Sequence, residues 1–414
     1  MPGLIAGPAL GIHPATPPTQ EDLDRWRVDD YEARPRRLAR LRERMAAEGV
    51  DAYFGVRREN TRYVSGFVLG EGEEKMAGVS GQFLVSADEV VVLADSRYTL
   101  QARDDCPAAR VEPVYNDFAE RWPALLSSLA PVGGGGGVRR VAMEAGFVSH
   151  AMWERLARGD PGVTLVAAEG WIEQLRQVKE PAEVERIAAA CAVADEALQR
   201  LLPAIRPGVA EHDLALQLEW EMRTNGAEAL AFDVACLAGD RAALPHGSPG
   251  SRVVRDGEVL LFDFGAQVAG YRSDMTRTLF VGEPSQRDLD VYQLVLDAQE
   301  AAFAALSEAV EAGEHPTNRS IDAAAREVIA TGGHGEHFGH GLGHGIGLAT
   351  HESPSLGRLA PEAPLPSPTV FSVEPGIYLD DVTGVRIEDL VVCDPDARRL
   401  ERLTRFTREV TVVG

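Results

Sequence analysis

Val259-Leu260-Leu261-Phe262-Asp263-Phe264-Gly265 is an apolar run broken by a single carboxylate, and how that run is read decides the architecture. Its length and its content of Val, Leu and Phe are those of a buried strand. A carboxylate inside such a strand costs several kcal/mol unless a positive charge compensates it, so Asp263 calls for a cation. A second strand, from Tyr271 to Phe280, carries Asp274. A chain reversal between Val268 and Ala269 would set Asp263 and Asp274 directly opposite one another across a hairpin. Carboxylates so placed repel unless a metal lies between them. Gly270 leaves room for a bulge that would shift the register.

Further along, His340-Gly341-Leu342-Gly343-His344-Gly345-Ile346-Gly347 alternates glycine with larger residues. That much glycine disfavours a helix. In extended form the glycines face one way and both histidines the other, which lets backbone or substrate approach closely while His344 offers a neutral imidazole to a metal. His351 and Glu352 follow soon enough to reach the same cleft. Two more acids sit in strand contexts, Glu374 within Phe371-Ser372-Val373-Glu374-Pro375-Gly376 and Glu388 within Val385-Arg386-Ile387-Glu388-Asp389, where Arg386 shares a strand face with Glu388. Singly, each acid reads as an ordinary salt-bridge charge. Together, two Asp, two Glu and one His form an oxygen-rich set suited to a pair of manganese, cobalt or similar ions and less suited to a structural zinc. Such a pair activates water and polarises a carbonyl.

Around these strands the pattern is mixed α/β (α+β). A helix is expected over Arg34–Glu48, with Leu38, Leu41 and Met45 on one face and Gly49 as its stop. Strands follow at Ala52–Val56, Phe83–Val85, Val90–Leu93 and Val163–Val166. Pro181 reads as a helix start and Pro203 as the end of an amphipathic helix over Glu183–Leu202. Helices over Glu211–Thr224, Asp288–Val310 and Ser320–Ala330 alternate with strands, so that two helices and then strands occur twice, suggesting two similar halves enclosing a cleft. The glycine run Gly133–Gly137 lacks the Lys-Ser/Thr of a phosphate loop and reads as a surface loop. A chain of 414 residues exceeds one ordinary core, and the division expected is a loose arm over residues 1–30, an N-terminal domain over 31–178 and a C-terminal domain over 179–414.

A net charge of −23 argues against nucleic acid or an anionic membrane as partner, and 45% apolar with 25% charged residues is the balance of a soluble globular protein. No run is apolar for long enough to span a bilayer, and the start does not read as a signal peptide. The four cysteines, Cys106, Cys191, Cys236 and Cys393, form no CxxC pair and read as reduced structural thiols of a cytoplasmic protein.

Asp263-Phe264-Gly265, Ser273-Asp274-Met275-Thr276-Arg277-Thr278, Gly343-His344-Gly345-Ile346-Gly347, Val373-Glu374-Pro375-Gly376 and Val385-Arg386-Ile387-Glu388-Asp389 together resemble the metallopeptidases of the pita-bread fold, the family of aminopeptidase P, prolidase and methionine aminopeptidase. The match is in order from about Lys179 to the end. Asn60-Thr61-Arg62-Tyr63-Val64-Ser65-Gly66-Phe67 and Asp95-Ser96-Arg97-Tyr98 resemble the creatinase/prolidase N-terminal domain, which methionine aminopeptidases lack, and this favours the proline-directed branch. The resemblance implies that Asp263 binds one metal, that Asp274 and Glu388 bridge two, and that His344 and Glu374 bind the other, with Glu374 also taking the proton of the attacking water. It implies that His246, in Leu244-Pro245-His246-Gly247, and His351 stabilise the tetrahedral intermediate or the departing nitrogen. His340 and Arg386 would hold ligands and substrate in place.

The expectation is thus a metal-dependent Xaa-Pro aminopeptidase, with an Xaa-Pro dipeptidase as the alternative. Two divalent ions are expected, manganese first and cobalt or zinc otherwise, together with a proline-containing peptide substrate and a homodimer. A kinase reading of Asp263-Phe264-Gly265 fails for want of a His-Arg-Asp loop. A creatinase-like C–N hydrolase on the same fold would dispense with the metal ligands, and a silent binding module would carry four unused acids at a standing electrostatic cost.

Overall fold

The computed structural model describes residues 18–70, 78–115 and 117–414. The described chain forms two units, Asp24–Arg176 and Gln177–Gly414, the second also taking in residues 18–23. Most of the stretch expected to be a loose arm lies outside the described residues, but helix α1 (Gln20–Ala47) already begins at Gln20, so residues 20–30 are helical. The sequence pattern placed that helix start at Arg34 for two reasons. Pro35 sits inside the helix, where its missing N–H weakens the pattern. The buried stripe also includes a charged residue, Arg37, which stacks on the Tyr63 ring at 4.3 Å and pairs with Asp30 at 3.1 Å. The helix ends where expected, with Gly49 at a left-handed φ of 63°.

The Asp24–Arg176 unit is built on one six-stranded mixed sheet. Its strands are β1 (Ala52–Gly55), β2 (Phe83–Val85), β3 (Val90–Ala94), β4 (Arg110–Pro113), β5 (Arg140–Glu144) and β6 (Thr164–Ala168), in the order β4-β3-β2-β1-β5-β6. Helices α2 (Arg58–Ser65), α3 (Thr99–Asp105), α4 (Phe118–Ser127), α5 (His150–Gly159) and α6 (Trp171–Gln177) complete it. One face of the sheet is sealed by the rings of Phe54, Phe118 and Trp122, whose centroids lie 5.4–5.7 Å apart. The Asn60 motif has a structural explanation. Buried Glu144, at the end of β5, accepts hydrogen bonds from the backbone N–H groups of Val56 and Arg57, just before α2, and from Asn60 Nδ2 within it, which ties the start of α2 to the sheet. Gly133–Gly137 is an exposed loop, as expected.

The Gln177–Gly414 unit repeats one pattern twice. Helices α7 (Pro181–Leu201) and α8 (Glu211–Thr224) precede β7 (Ala229–Leu230), β8 (Ala235–Ala238), β9 (Glu258–Phe264), β10 (Ala266–Val268), β11 (Tyr271–Arg272) and β12 (Met275–Val281). Helices α9 (Gln286–Ala312) and α10 (Asn318–Thr331) then precede β13 (Gly343–Gly345), β14 (Glu352–Leu356), β15 (Thr369–Val373), β16 (Gly376–Leu379), β17 (Thr383–Arg386), β18 (Asp389–Asp394), β19 (Arg399–Arg402) and β20 (Val412–Val413). Pro181 at the start of α7 lies inside a capping box in which the Glu183 carboxylate accepts from Glu180 N–H at 2.8 Å. The apolar face of α9, with Val295, Ala298, Ala302 and Leu306, is buried in one cluster with Phe371, Val373, Ile387 and Val391 of the facing strands. All four cysteines are buried and unpaired. Among the described residues no helix is long and apolar enough to cross a membrane.

The hairpin that carries the two aspartates reverses one position later than expected. Val268 pairs with Tyr271, leaving Ala269 and Gly270 as the turn, both at left-handed φ of 47° and 82°. The physical reason is that a two-residue turn with positive φ at both positions matches strand twist, and glycine supplies the second of them without strain. Asp263 consequently pairs with Thr276, and Asp274 falls two residues before that partner, in the gap between β11 and β12. Ala269 holds a conformation that costs an L-residue about 1–2 kcal/mol. Ala269→Asn should therefore raise the stability of this unit by about 0.5–1 kcal/mol in denaturant unfolding. A lowered or unchanged midpoint would contradict the turn assignment.

Candidate active site

Each acid sits where a ladder begins, ends or breaks. Asp263 is near the end of β9, Asp274 in the gap between β11 and β12, Glu374 immediately after β15, and Glu388 in the gap between β17 and β18. The expectation that Glu374 and Glu388 lie inside strands is corrected in this respect. At a break the backbone leaves the pleat, so these side chains are free of the strict alternation between faces. His344 is the middle residue of β13, flanked by Gly343 and Gly345. A Cβ at Gly343 would lie 1.9 Å from Ser372 O and one at Gly345 would lie 2.3 Å from Ser353 O. The glycines thus serve close approach, as expected, but they meet different neighbours, and the register shifts between His344 and Gly345 in place of a clean alternation.

The five residues Asp263, Asp274, His344, Glu374 and Glu388 line one cleft of about 510 Å³, together with His246, His340, His351 and Arg386. The His246 segment is tied down by Glu211 at the start of α8, whose buried carboxylate accepts from Ala238 N–H, Gly250 N–H and Arg241 Nε, while Arg241 donates to Ser248 O at 2.6 Å. His344 Nδ1 lies 3.0 Å from Gly345 O, which makes it the protonated nitrogen and leaves Nε2 as an acceptor. That Nε2 is 3.6 Å from Asp274 Oδ2 and 3.4 Å from Glu374 Oε1. One ligand atom each from Asp274, His344 and Glu388 lie within 4.8 Å of one another. The His344 and His351 rings are 4.3 Å apart between centroids.

Burial, and then the charges of Glu388, Asp263 and Glu374, push the Asp274 carboxyl well above the usual carboxylate range. Burial, with Glu374 and Asp263, does the same to Glu388. Glu374 is raised by burial against the opposing pull of His340, Arg386 and Ser372. Burial lowers His340, His344 and His351, favouring neutral imidazoles. The neighbouring Asp389 makes the contrast plain. It too is buried, yet Arg277, then Arg402 and Thr404, hold it below its ordinary value. Arg277 donates to Asp389 Oδ1 at 2.7 Å, so this acid already has its counter-charge in the protein. Glu388 and Asp274 do not.

Three residues that the sequence did not single out organise the cleft. Tyr378 accepts from Arg386 at 2.9 Å and shares a 2.9 Å hydrogen bond with His340 Nε2. Thr276 donates to Glu388 Oε2 at 2.7 Å and accepts from Arg386 Nε at 2.8 Å. Ser372 donates to Glu374 Oε1 at 2.9 Å and accepts from His344 N–H at 3.1 Å. Thr276 and Ser372 fall within quoted motifs, and Ser372 lies only two residues before Glu374, a proximity that could have identified it. Tyr378 is brought against the cleft residues His340 and Arg386 through the pairing of β16 with β17, which no local pattern reveals. Arg386 also donates to Asp263 Oδ2, so one guanidinium spans Asp263, Thr276 and Tyr378.

Residues 185–395 match the model of metallopeptidase family M24, and residues 37–178 match the creatinase/prolidase N-terminal domain. The chain is 32% identical over 374 residues to an Xaa-Pro dipeptidase of Pyrococcus furiosus, covering 90% of this chain and 99% of that protein. Among solved structures it is similar to an Xaa-Pro dipeptidase from Bacillus anthracis, with a TM-score of 0.80, 30% identity and coverage of 91% and 99% of the two chains. It is likewise similar to an X-Pro aminopeptidase from Thermotoga maritima, with a TM-score of 0.75, 34% identity and coverage of 88% and 98%. The chain belongs to metallopeptidase family M24 and carries the creatinase/prolidase N-terminal domain. It is a hydrolase with the pita-bread catalytic domain, and its family implies divalent metal ions.

The residues present fit such ions. Asp263 Oδ1 is buried with no hydrogen-bond partner among the described residues. Asp274 and Glu388 are held close to other acids, and His344 turns its unprotonated Nε2 towards Asp274 and Glu374. These are the donors a hard divalent ion takes. A sign follows for pH. The metal-free folded state binds protons at Asp274 and Glu388 more tightly than the unfolded chain does, so this contribution to stability is complete below the unfolded carboxylate pKa of about 4 and is lost as pH rises towards the raised values. Metal binding must displace those protons and should strengthen over the same rise. Calorimetric titration with manganese in buffers of different ionisation enthalpy should show proton release, and Asp274→Asn should flatten the decline in metal-free stability. Affinity independent of pH would contradict the proton assignment.

Proposed function

We propose that this protein hydrolyses the peptide bond preceding proline, acting on Xaa-Pro dipeptides, with Asp263, Asp274, His344, Glu374 and Glu388 holding two divalent ions. The observation that carries the reading is the convergence of four carboxylates and an imidazole with an unprotonated Nε2 in one cleft. The oxygen-rich donor set favours manganese over zinc. Ions bound there would lower the pKa of water and polarise the scissile carbonyl.

The chain's own groups supply the proton traffic. Glu374, raised by burial, takes the proton of the attacking water and can return it to the departing nitrogen. The departing proline nitrogen must leave as an amine and not as an amide anion, so the C–N bond breaks productively only when a proton reaches it. His246 and His351, both lining the cleft, would donate to the oxygen of the tetrahedral intermediate or to that nitrogen. Arg386, fixed by Asp263, Thr276 and Tyr378, and His340, fixed by Tyr378, hold the surrounding groups in place.

Support for the dipeptide comes from the names of the similar proteins, of which the Pyrococcus furiosus and Bacillus anthracis relatives are Xaa-Pro dipeptidases. This moves the reading away from the aminopeptidase expected from the sequence. The Thermotoga maritima relative, named an X-Pro aminopeptidase, supports that second reading. With manganese present, an Xaa-Pro dipeptide should be cleaved with kcat/KM at least about tenfold above that for Xaa-Pro-Yaa-Zaa, a difference of about 1.4 kcal/mol. Equal or better cleavage of the tetrapeptide would assign an aminopeptidase, and cleavage of neither would sink the proline-directed reading. Asp274→Asn or Glu388→Gln should abolish turnover.

A further inference from the structure

Gln299 is a polar residue on the buried face of α9, fully enclosed among Val295, Ala298, Ala302 and Phe303. An amide in such surroundings is costly unless its hydrogen bonds are made. Its Nε2 lies 3.0 Å from Val373 O, 3.1 Å from Ile387 O and 3.1 Å from Asp389 Oδ2, and its Oε1 accepts from Arg408 Nη1 at 3.0 Å. The orientation of the amide is determined by these partners, since a flipped amide would set its oxygen against three acceptors and its nitrogen against a guanidinium.

The two carbonyls belong to the residues immediately before Glu374 and Glu388. Each shares a peptide group with the N–H of the glutamate that follows, and those N–H groups are also engaged. Glu374 N–H donates to Leu342 O at 2.8 Å and Glu388 N–H to Thr276 O at 3.1 Å. Both peptide planes are therefore gripped at both ends, the carbonyl ends by one shared side chain. A peptide plane held in this way sets the direction in which the following Cα sends its side chain, because few backbone torsions remain free. Both glutamates also lie outside the strands, where the sheet ladder does not perform this task.

We infer that Gln299 is a positioning residue that fixes the spacing of Glu374 and Glu388 for binding a metal pair, while touching neither the ions nor the substrate. This rests on the proposal that these glutamates hold the metals, and it does not depend on the substrate. Second-sphere groups of this kind alter metal affinity or activity by about 10- to 100-fold.

The test compares the wild type with Gln299→Met, which keeps the length and loses the donors, and with Gln299→Asn, which keeps an amide one methylene too short and serves if the first variant does not fold. Phe303→Leu, four residues along the same buried helix face and with no hydrogen-bonding group to offer either carbonyl, is the control for mere loss of packing. Metal-free full-length proteins are titrated with manganese calorimetrically, their unfolding midpoints are measured, and the manganese-loaded forms are examined by low-temperature EPR, which separates coupled from isolated ions. The expected result is manganese binding about tenfold or more weaker in the Gln299 variants, with the coupled signal diminished, while Phe303→Leu lowers the unfolding midpoint without changing affinity or spectrum. Affinity and coupling unchanged in the Gln299 variants would overturn the inference, as would an equal loss of affinity in Phe303→Leu. If the wild type binds manganese with this dependence on Gln299 yet cleaves no Xaa-Pro peptide, the inference stands and only the substrate reading fails.

Discussion

Repulsion among the carboxylates of Asp263, Asp274, Glu374 and Glu388 is the force that the rest of the Gln177–Gly414 unit has to contain. Charges brought together in a low-dielectric cleft interact far more strongly than in water, and their desolvation adds to the cost. The protein answers only part of it. Arg386 pairs with Asp263 but is shared with Thr276 and Tyr378, and His344 is kept neutral by burial. The remaining charge is left for protons or for metal ions, which is why Asp274 and Glu388 stand so far above their ordinary values.

Such a cluster persists only if its backbone cannot relax away from it. Paired ladders hold Asp263 through Ala235 and Thr276 on either side. Glycine at 343 and 345 lets β13 lie against neighbouring backbone closely enough to seat His344. The glutamates stand beyond the ladders, and there hydrogen bonds to the preceding peptide groups take over, from Gln299 on one side and from Leu342 and Thr276 on the other. The adjacent pair Glu388 and Asp389 divides these duties. Asp389, neutralised by Arg277, anchors the strand, and Glu388 beside it is left unneutralised in the cleft.

Much of this was legible in the sequence because the chemistry is local. A carboxylate inside Val259–Gly265 is conspicuous, and so are alternating glycines around a histidine. Helix α7 starts at Pro181 within a capping box whose chemistry is explicit in the sequence, so its start was read closely. What escaped depends on contacts between distant segments. Tyr378 enters through a strand pairing, Gln299 resembles a stray polar residue in an apolar stripe, and the start of α1 was hidden because buried Arg37 and internal Pro35 contradict the usual helix signals. The hairpin register missed by one position because Ala269 is an unfavourable residue for the turn it occupies.

The most direct test is crystallographic. Crystals grown with manganese and measured near its absorption edge should show anomalous difference peaks for two ions enclosed by Asp263, Asp274, His344, Glu374 and Glu388, and Glu388→Gln crystals should lose at least one. Peaks elsewhere on the surface, or an unchanged pair in the variant, would contradict the account of this acidic cluster as a metal centre.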